Sequence, residues 1–319
     1  MADGFDYSKE YEEIVRVYSS TGANLLDLLQ KTTASAVVNG NKVLGKTEVE
    51  GIKINLESFE EGVKVKVIVE DNVVIENPVH LCFGMTPEKG RQVIKSSFVI
   101  GKNSKVSFLS HCMFPNAKDI EHVMEFDMKV KKNAKVEYFE EHFHPEEGHV
   151  IVKPKLRAVL EEKAVLEDEF KIVKGKVGFL DLDYEVKQEK SSTCNLITKA
   201  YGKKDDKIII KESLYLDGEN ASGTAKSRIV LTENSSAKVL GEIIGNAANT
   251  RGHVDCHEIV QGDKAKAEAV PKIAVNHPLA RITHEASIGR INKKEIETLM
   301  SRGLSEEQAI DFIVKGILK

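Results

Sequence analysis

From about residue 40 to residue 290, apolar and polar residues alternate with a period of two, and few segments carry a convincing period of 3.6. The alternation is plain in Gly51-Ile-Lys-Ile-Asn-Leu56 and Gly62-Val-Lys-Val-Lys-Val67. A turn-then-strand phrase repeats along it: Asn103-Ser-Lys-Val106, Asn133-Ala-Lys-Val136, Lys163-Ala-Val165, Ser236-Ala-Lys-Val239 and Lys264-Ala-Lys-Ala267. The first two copies start 30 residues apart and the last two 28. A β-phrase recurring at this interval without helices predicts a coiled parallel solenoid. A β-sandwich also yields short strands with polar turns; the interval favours the solenoid.

Helical signals are confined to the ends. Tyr11, Ile14, Val15 and Tyr18 form an amphipathic stripe that stops at Thr21-Gly22, and Leu25, Leu26, Leu28 and Leu29 suggest a second helix. Near the C-terminus, Asn292-Lys-Lys-Glu295 resembles a capping box ahead of Ile296, Leu299 and Met300, with Gly303 as the stop. Ser305-Glu-Glu-Gln308 is a second box, opening a helix that carries Ala309, Ile310, Phe312, Ile313 and Ile317. The expected organisation is a helical region over 1–40, an all-β core over 41–290 and a helical region over 291–319.

The 319 residues suffice for one large core flanked by small helical caps. A formal charge of −4, with both signs interleaved, gives no basic footprint, so neither nucleic acid nor an anionic membrane is an expected partner. No run approaches the ~20 apolar residues that span a bilayer. The opening Met1-Ala-Asp-Gly-Phe-Asp6 lacks a basic region followed by an apolar one, so no secretory signal is expected. Four scattered cysteines, Cys82, Cys112, Cys194 and Cys256, do not make a disulfide framework. The expected compartment is the reducing cytoplasm.

Gly40-Asn-Lys-Val-Leu-Gly-Lys-Thr47 matches the phosphate-loop pattern, but that chemistry needs a helix N-terminus after the loop. The following residues alternate as a strand, so an Asn39-Gly40 turn is expected and no nucleotide bound by this chain. His142, His144 and His149 cluster around Pro145. A His-x-His pair can ligate zinc; with no second closely spaced pair, a solvated polar turn is the expectation.

Cys256 and His284 are 28 residues apart, the step of the local repeat. Equivalent positions on neighbouring coils lie ~5 Å apart, so stacking would gather a thiol, an imidazole and the Glu285 carboxylate. Alternation equally leaves Cys256 on the face of Val254 and Val260, where a free cysteine serves as a small buried hydrophobe. Four cysteines without ferredoxin-like spacing do not form a closed, permanent cluster site. A transient site wants few thiolates and weaker ligands, supplied by one subunit or two. Asp255 and Glu258 are too isolated to suggest a β-helical enzyme acting on polysaccharide.

Thr250-Arg-Gly-His-Val-Asp-Cys256, Val270-Pro271, His284-Glu-Ala286 and Ser301-Arg-Gly-Leu-Ser-Glu-Glu-Gln-Ala309 together resemble the SufB/SufD family, which builds iron–sulfur clusters with the ATPase SufC. The likeness runs from about residue 95 to the C-terminus. His284-Glu285-Ala286 looks like SufB, since SufD tends to have Gly in place of the Glu. The resemblance implies a right-handed parallel β-helix core with small N- and C-terminal helical regions. It also implies a non-enzymatic scaffold holding a transient iron–sulfur cluster. On this likeness Cys256 is the sulfur acceptor or cluster ligand, with Glu285 as co-ligand to iron and His284 as its neighbour. Val106-Ser-Phe-Leu-Ser-His-Cys112 resembles the strand holding a second SufB cysteine, making Cys112 the point where persulfide sulfur arrives from a donor protein. The helices from Asn292 onward match the region that docks the SufC-type ABC ATPase. The N-terminal cysteine cluster of many SufB proteins has no match here, and Cys82 and Cys194 have no clear counterpart. His142 and His144 fall on the sulfur path that the family implies, where other polar and aromatic residues are usual. A compact form that pairs as a homodimer is expected, with a SufB/SufD heterodimer as the other pairing and a cluster-free SufD-like partner as the other role.

Overall fold

The computed structural model describes residues 10, 12–14, 16 and 32–319. The helix expected around Leu25–Leu29 lies outside the described residues, as do Tyr11, Val15 and Tyr18. Residues 10, 12–14 and 16 are helical, and Ile14 is buried. The first strand begins at Ser35, inside the stretch expected to be helical.

The alternating middle folds into two facing sheets. The first contains β1 (Ser35–Asn39), β2 (Lys42–Thr47), β5 (Val79–Gly84), β7 (Lys105–Met113), β9 (Lys135–Phe143), β11 (Val165–Lys174), β13 (Thr193–Gly202), β15 (Ser222–Thr232), β17 (Arg251–Gln261) and β19 (Arg281–Gly289). The second contains β3 (Ile52–Phe59), β4 (Gly62–Val69), β6 (Lys89–Ile100), β8 (Asp119–Val130), β10 (His149–Leu160), β12 (Phe179–Gln188), β14 (Lys207–Leu216), β16 (Ser236–Gly245) and β18 (Lys266–Val275). From β4 onward each strand pairs in parallel with the strand two places along the chain. The chain therefore lays one strand in each sheet per turn, for about eight turns. This is the parallel β-solenoid that the repeat predicts, since a sandwich would pair its strands antiparallel.

The corners explain the repeated phrase. Asn72, Asn103, Asn133, Lys163, Ser191, Asn220 and Asn249 all have φ near +60°. They occupy one corner of successive turns, where the chain reverses too tightly for right-handed φ; Asn tolerates this best among residues with a side chain. Their amides also stack: Asn133 donates to Asn103 at 2.9 Å, and Asn103 to Asn72 at 2.8 Å. The phrases at Ser236 and Lys264 belong to the opposite corner. There Ser236 pairs with Lys266, a step of 30 and not the expected 28.

Asn39 pairs with Lys42 across a two-residue turn in which Gly40 has φ +61°, and β2 follows as a strand. The phosphate-loop pattern thus sits in a β-hairpin. Outward residues carry the interleaved charge as cross-coil pairs, such as Glu121 with Arg91 at 2.9 Å and Lys153 at 2.7 Å. Inward residues fill the coil: Phe98 meets Phe108 at 5.0 Å and Phe126 at 4.5 Å, and Phe126 meets Tyr138 at 5.1 Å. Burying each such ring contributes ~1.5–3 kcal/mol.

The two ends differ. At the start of the coil, hairpins β1–β2 and β3–β4 turn the sheets antiparallel. At the finish, β18 and β19 are edge strands with no further coil beyond them among the described residues. Val275, Leu279 and Ile288 are left more than half exposed there. Helices α1 (Lys293–Met300) and α2 (Glu306–Ile317) fold back over the outer face of the first sheet. Ile296, Ala309, Val314 and Leu318 bury against Tyr201, Val230 and Ile259. The box at Ser305 and Gln308 closes reciprocally, while Asn292 caps α1 by accepting from the backbone of Lys294. Phe312, among the apolar residues of this helix, is 63% exposed.

Candidate functional site

Polar side chains occupy inward positions that the alternation reserves for apolar ones. On β7 the inward series is Val106, Phe108, Ser110, Cys112; on β9 it is Val136, Tyr138, Glu140, His142. From the facing sheet, β8 contributes His122 and Met124. Cys112 and His142 are cross-strand partners, and the ligand atoms of Cys112, His122 and His142 lie within 4.8 Å of one another. His142 Nε2 is 2.7 Å from Glu140 Oε1, and the Tyr138 hydroxyl donates to Glu140 Oε2 at 3.1 Å. Cys112 Sγ lies 4.0 Å from Met124 Sδ.

This overturns the solvated-turn expectation for two of the three histidines. His142 is fully buried and His144 is 8% exposed, with its Nδ1–H donating to the Lys176 carbonyl at 2.8 Å; His149 is exposed. Strand β9 runs to Phe143, so inward alternation continues through His142 and the bend at 146–148 starts only after it. Burial governs the chemistry of the chamber. It pushes the Cys112 thiol well up, with the Glu140 charge adding to the effect, and it drives His122 well below its ordinary value and His144 down to about 3.

From this chamber a file of polar groups runs along the inside of the coil. One inward column stacks Ser110, Glu140, Phe170, Thr198, Ser227 and Cys256 on successive strands of the first sheet. Thr198 donates to Glu212 from the opposite sheet at 2.5 Å, and Ser227 donates to Glu258 at 3.0 Å. Asp168 is buried beside the same column, and burial together with Glu140 and Glu212 pushes its carboxyl well up. Burial alone raises Glu212 to about 7, and it raises Glu258 as well. His122, Glu140, Asp168 and Glu212 are not among the residues singled out from the sequence, and Glu258 is set aside there as isolated. Their signal was legible as acid or imidazole at the apolar parity of an alternating strand.

Cys256 ends the file, 2% exposed, its thiol raised by burial to about 11. Its partners are Ser227 on one side and Ala286 on the other, because the last step is 30 residues. The 28-residue stacking is therefore corrected: His284 lies opposite Val254, on the inward face but one pair away from Cys256. Glu285 lies opposite Asp255, on the outer face. Asp255 is held by Arg228 at 2.5 Å. A single chain thus places Cys256 and His284 on one face of the edge and Glu285 on the other. Cys194 is buried and inward on β13, between Leu166 and Gly223, and Cys82 is buried outside the coil's interior parity.

A family model described as SUF system FeS cluster assembly, SufBD core domain, matches residues 84–317. The chain belongs to the SufBD family. It is 35% identical over 310 residues to an iron–sulfur cluster assembly SufBD family protein of Methanocaldococcus jannaschii, covering 97% of this chain and 98% of that one. A Pyrococcus horikoshii SufBD family protein is 36% identical over 313 residues, covering 98% and 95%. Similarity to the iron–sulfur cluster assembly protein SufB of Bacillus subtilis is more distant, 22% over 261 residues, and reaches 54% of that longer protein. The SufBD match begins at Gly84, so it takes in both cysteines of the file and the two C-terminal helices. No helix among the described residues is long and apolar enough to cross a membrane.

Proposed function

We propose that this SufBD chain is the scaffold subunit of a cytoplasmic Suf-type assembly complex and not itself an enzyme. In this reading it takes up sulfur at Cys112 and builds a labile cluster at Cys256, with His284 and Glu285 as weaker ligands to iron. The observation that carries it is the buried column from Ser110 and Glu140, next to Cys112, to Ser227 and Cys256, polar on every strand but β11, where Phe170 stands beside buried Asp168. In the first step the Cys112 sulfur attacks the outer sulfur of a donor protein's persulfide, and the thiol proton passes to the departing donor sulfur. One S–S bond forms, the donor's breaks, and the donor leaves as a thiol, with no net redox change. Cys112 and Cys256 are five strand spacings apart, about 24 Å, so no direct exchange links them. The hydroxyls and carboxyls of Ser110, Glu140, Thr198, Glu212 and Ser227 offer hydrogen-bond partners along the way.

The open end supports pairing with a second copy. Edge strands with unpaired backbone groups and exposed Val275, Leu279 and Ile288 are what a two-fold partner would cover. Glu285, on the outer face, is then available to a site shared between two subunits. Exposed Met300 and Phe312 on the C-terminal helices suit the docking of a SufC-type ABC ATPase. ATP-driven movement of that partner would shift the edge strands and uncover Cys256.

Anaerobic reconstitution tests the reading. Cys256→Ala should lose the visible absorbance of the cluster whichever sulfur source is used; full absorbance in that variant overturns the assignment. Cys112→Ala should lose it only when sulfur comes from a persulfide donor. The separation of Glu285 from Cys256 within one chain favours a second reading, a SufD-like partner that stabilises the complex and binds no cluster. Iron and acid-labile sulfide at background level in the reconstituted wild type would support that alternative.

A further inference from the structure

The Cys112 chamber contains more metal-binding chemistry than sulfur uptake requires. His122 is fully buried and neither of its ring nitrogens has a hydrogen-bond partner; His142 Nδ1 has none either. Leaving a buried polar group unsatisfied costs about 1–3 kcal/mol, so these atoms call for a physical explanation. One nitrogen of each of these histidines and Cys112 Sγ lie within 4.8 Å of one another, close enough for small side-chain shifts to bring all three onto one ion. The second nitrogen of His142 is engaged by Glu140 at 2.7 Å, the carboxylate–histidine arrangement that orients a metal-binding imidazole. Met124 Sδ stands 4.0 Å from the thiol as a fourth, softer donor.

We infer that Cys112, His122 and His142, with Met124 adjacent, form a buried binding site for a single thiophilic divalent ion, ferrous iron or zinc. One thiolate and two neutral imidazoles, with a thioether nearby, favour such an ion over magnesium or calcium. Charge supports the same choice: the Cys112 thiolate and the Glu140 carboxylate balance a divalent ion, so no net charge is buried. His144, 8% exposed, lies 5.9 Å, centroid to centroid, from His142. The inference stands on the geometry of the chamber and does not rest on the scaffold reading. A metal held here would occupy the thiol that persulfide must reach, making metal and sulfur competitors at Cys112.

Cobalt(II) is the probe, titrated anaerobically into chelator-treated protein. One equivalent should produce tetrahedral ligand-field bands and a thiolate-to-cobalt charge-transfer band. Cys112→Ser should lose the charge-transfer band and His122→Phe the tetrahedral pattern, with far-ultraviolet dichroism unchanged in both. Glu140→Gln should retain the bands but weaken binding ~10–100-fold, a change in affinity without a change in spectrum that general loosening would not give. Should a His or Cys variant misfold, Cys256→Ala still decides: bands persisting there support the chamber, and bands lost there place the ion at the other end and overturn the inference. Absence of any thiolate band in folded wild type overturns it outright. Back-titration with ferrous iron and with zinc then distinguishes the two occupants. Because cluster reconstitution at Cys256 with free sulfide is scored separately, failure here leaves the scaffold reading intact.

Discussion

Cys112 and Cys256 lie at the two ends of one polar file, in opposite surroundings. Cys112 is enclosed by Phe83 and His142 on neighbouring strands and by His122 and Met124 from the facing sheet. Cys256 has Ser227 behind it and only the edge strand β19 ahead, whose inward residues His284, Ala286 and Ile288 are exposed. In a solenoid each coil is buried by the two beside it, so the last coil is half-finished until something covers it. Interior coils can therefore build a rigid pocket from their own side chains, while the terminal coil can build only part of one.

The largest expected difference between the two regions is in stability. Phe108→Ala, beside the chamber, should lower the unfolding free energy by ~3–5 kcal/mol. Ile288→Ala, inward on the open coil, should cost under ~0.5 kcal/mol in the isolated chain. Denaturant titration of both variants checks this, and equal losses would erase the contrast. A loss for Ile288→Ala that grows with protein concentration would instead sharpen it, by showing that a second copy buries that face.

Between the two ends sits Glu212, which burial holds at about 7 against 4.5 for the free group. Between those values the folded state keeps a proton that the unfolded state releases. Stability therefore falls as pH rises through this window and stays low above it. The contribution of this one group is ~3 kcal/mol. Glu212→Gln should remove it, so that variant and wild type unfold alike near pH 4.5 and the variant is the more stable at pH 8. An unchanged difference between the two pH values would mean that solvent reaches the file.

The smallest effect is on reactivity. Only the thiolate reacts with a small alkylating agent, so the Cys256 rate should climb about tenfold per pH unit below its raised value near 11. Cys112, raised further and enclosed, should react much more slowly at every pH. Mass-mapped labelling of native protein distinguishes the two, and comparable rates would abolish the distinction.

Much of the architecture was legible beforehand because it is local. Alternation marks which side of each strand faces in, the Asn103 and Asn133 phrases mark corners needing positive φ, and Ser305 with Gln308 marks a helix start. The histidine chamber was hidden by a local cue, since Pro145-Glu-Glu-Gly148 reads as a solvated turn while His142 still belongs to the strand. The exposure of Phe312 was not legible, because helical composition does not give how much of the helix the sheet covers.

The sequence by itself determined that the chain coils and where it bends, and its alternation carries the parity of Cys256, on the face of Val254 and Val260. Which residues meet was decided only by tertiary structure. Parity is a property of two successive peptide units. Register accumulates over corners that absorb an extra residue or more, so the repeat step drifts between 28 and 31. That drift sets Cys256 against Ala286 and not His284, and the facing of two sheets brings His122 to Cys112 and His142.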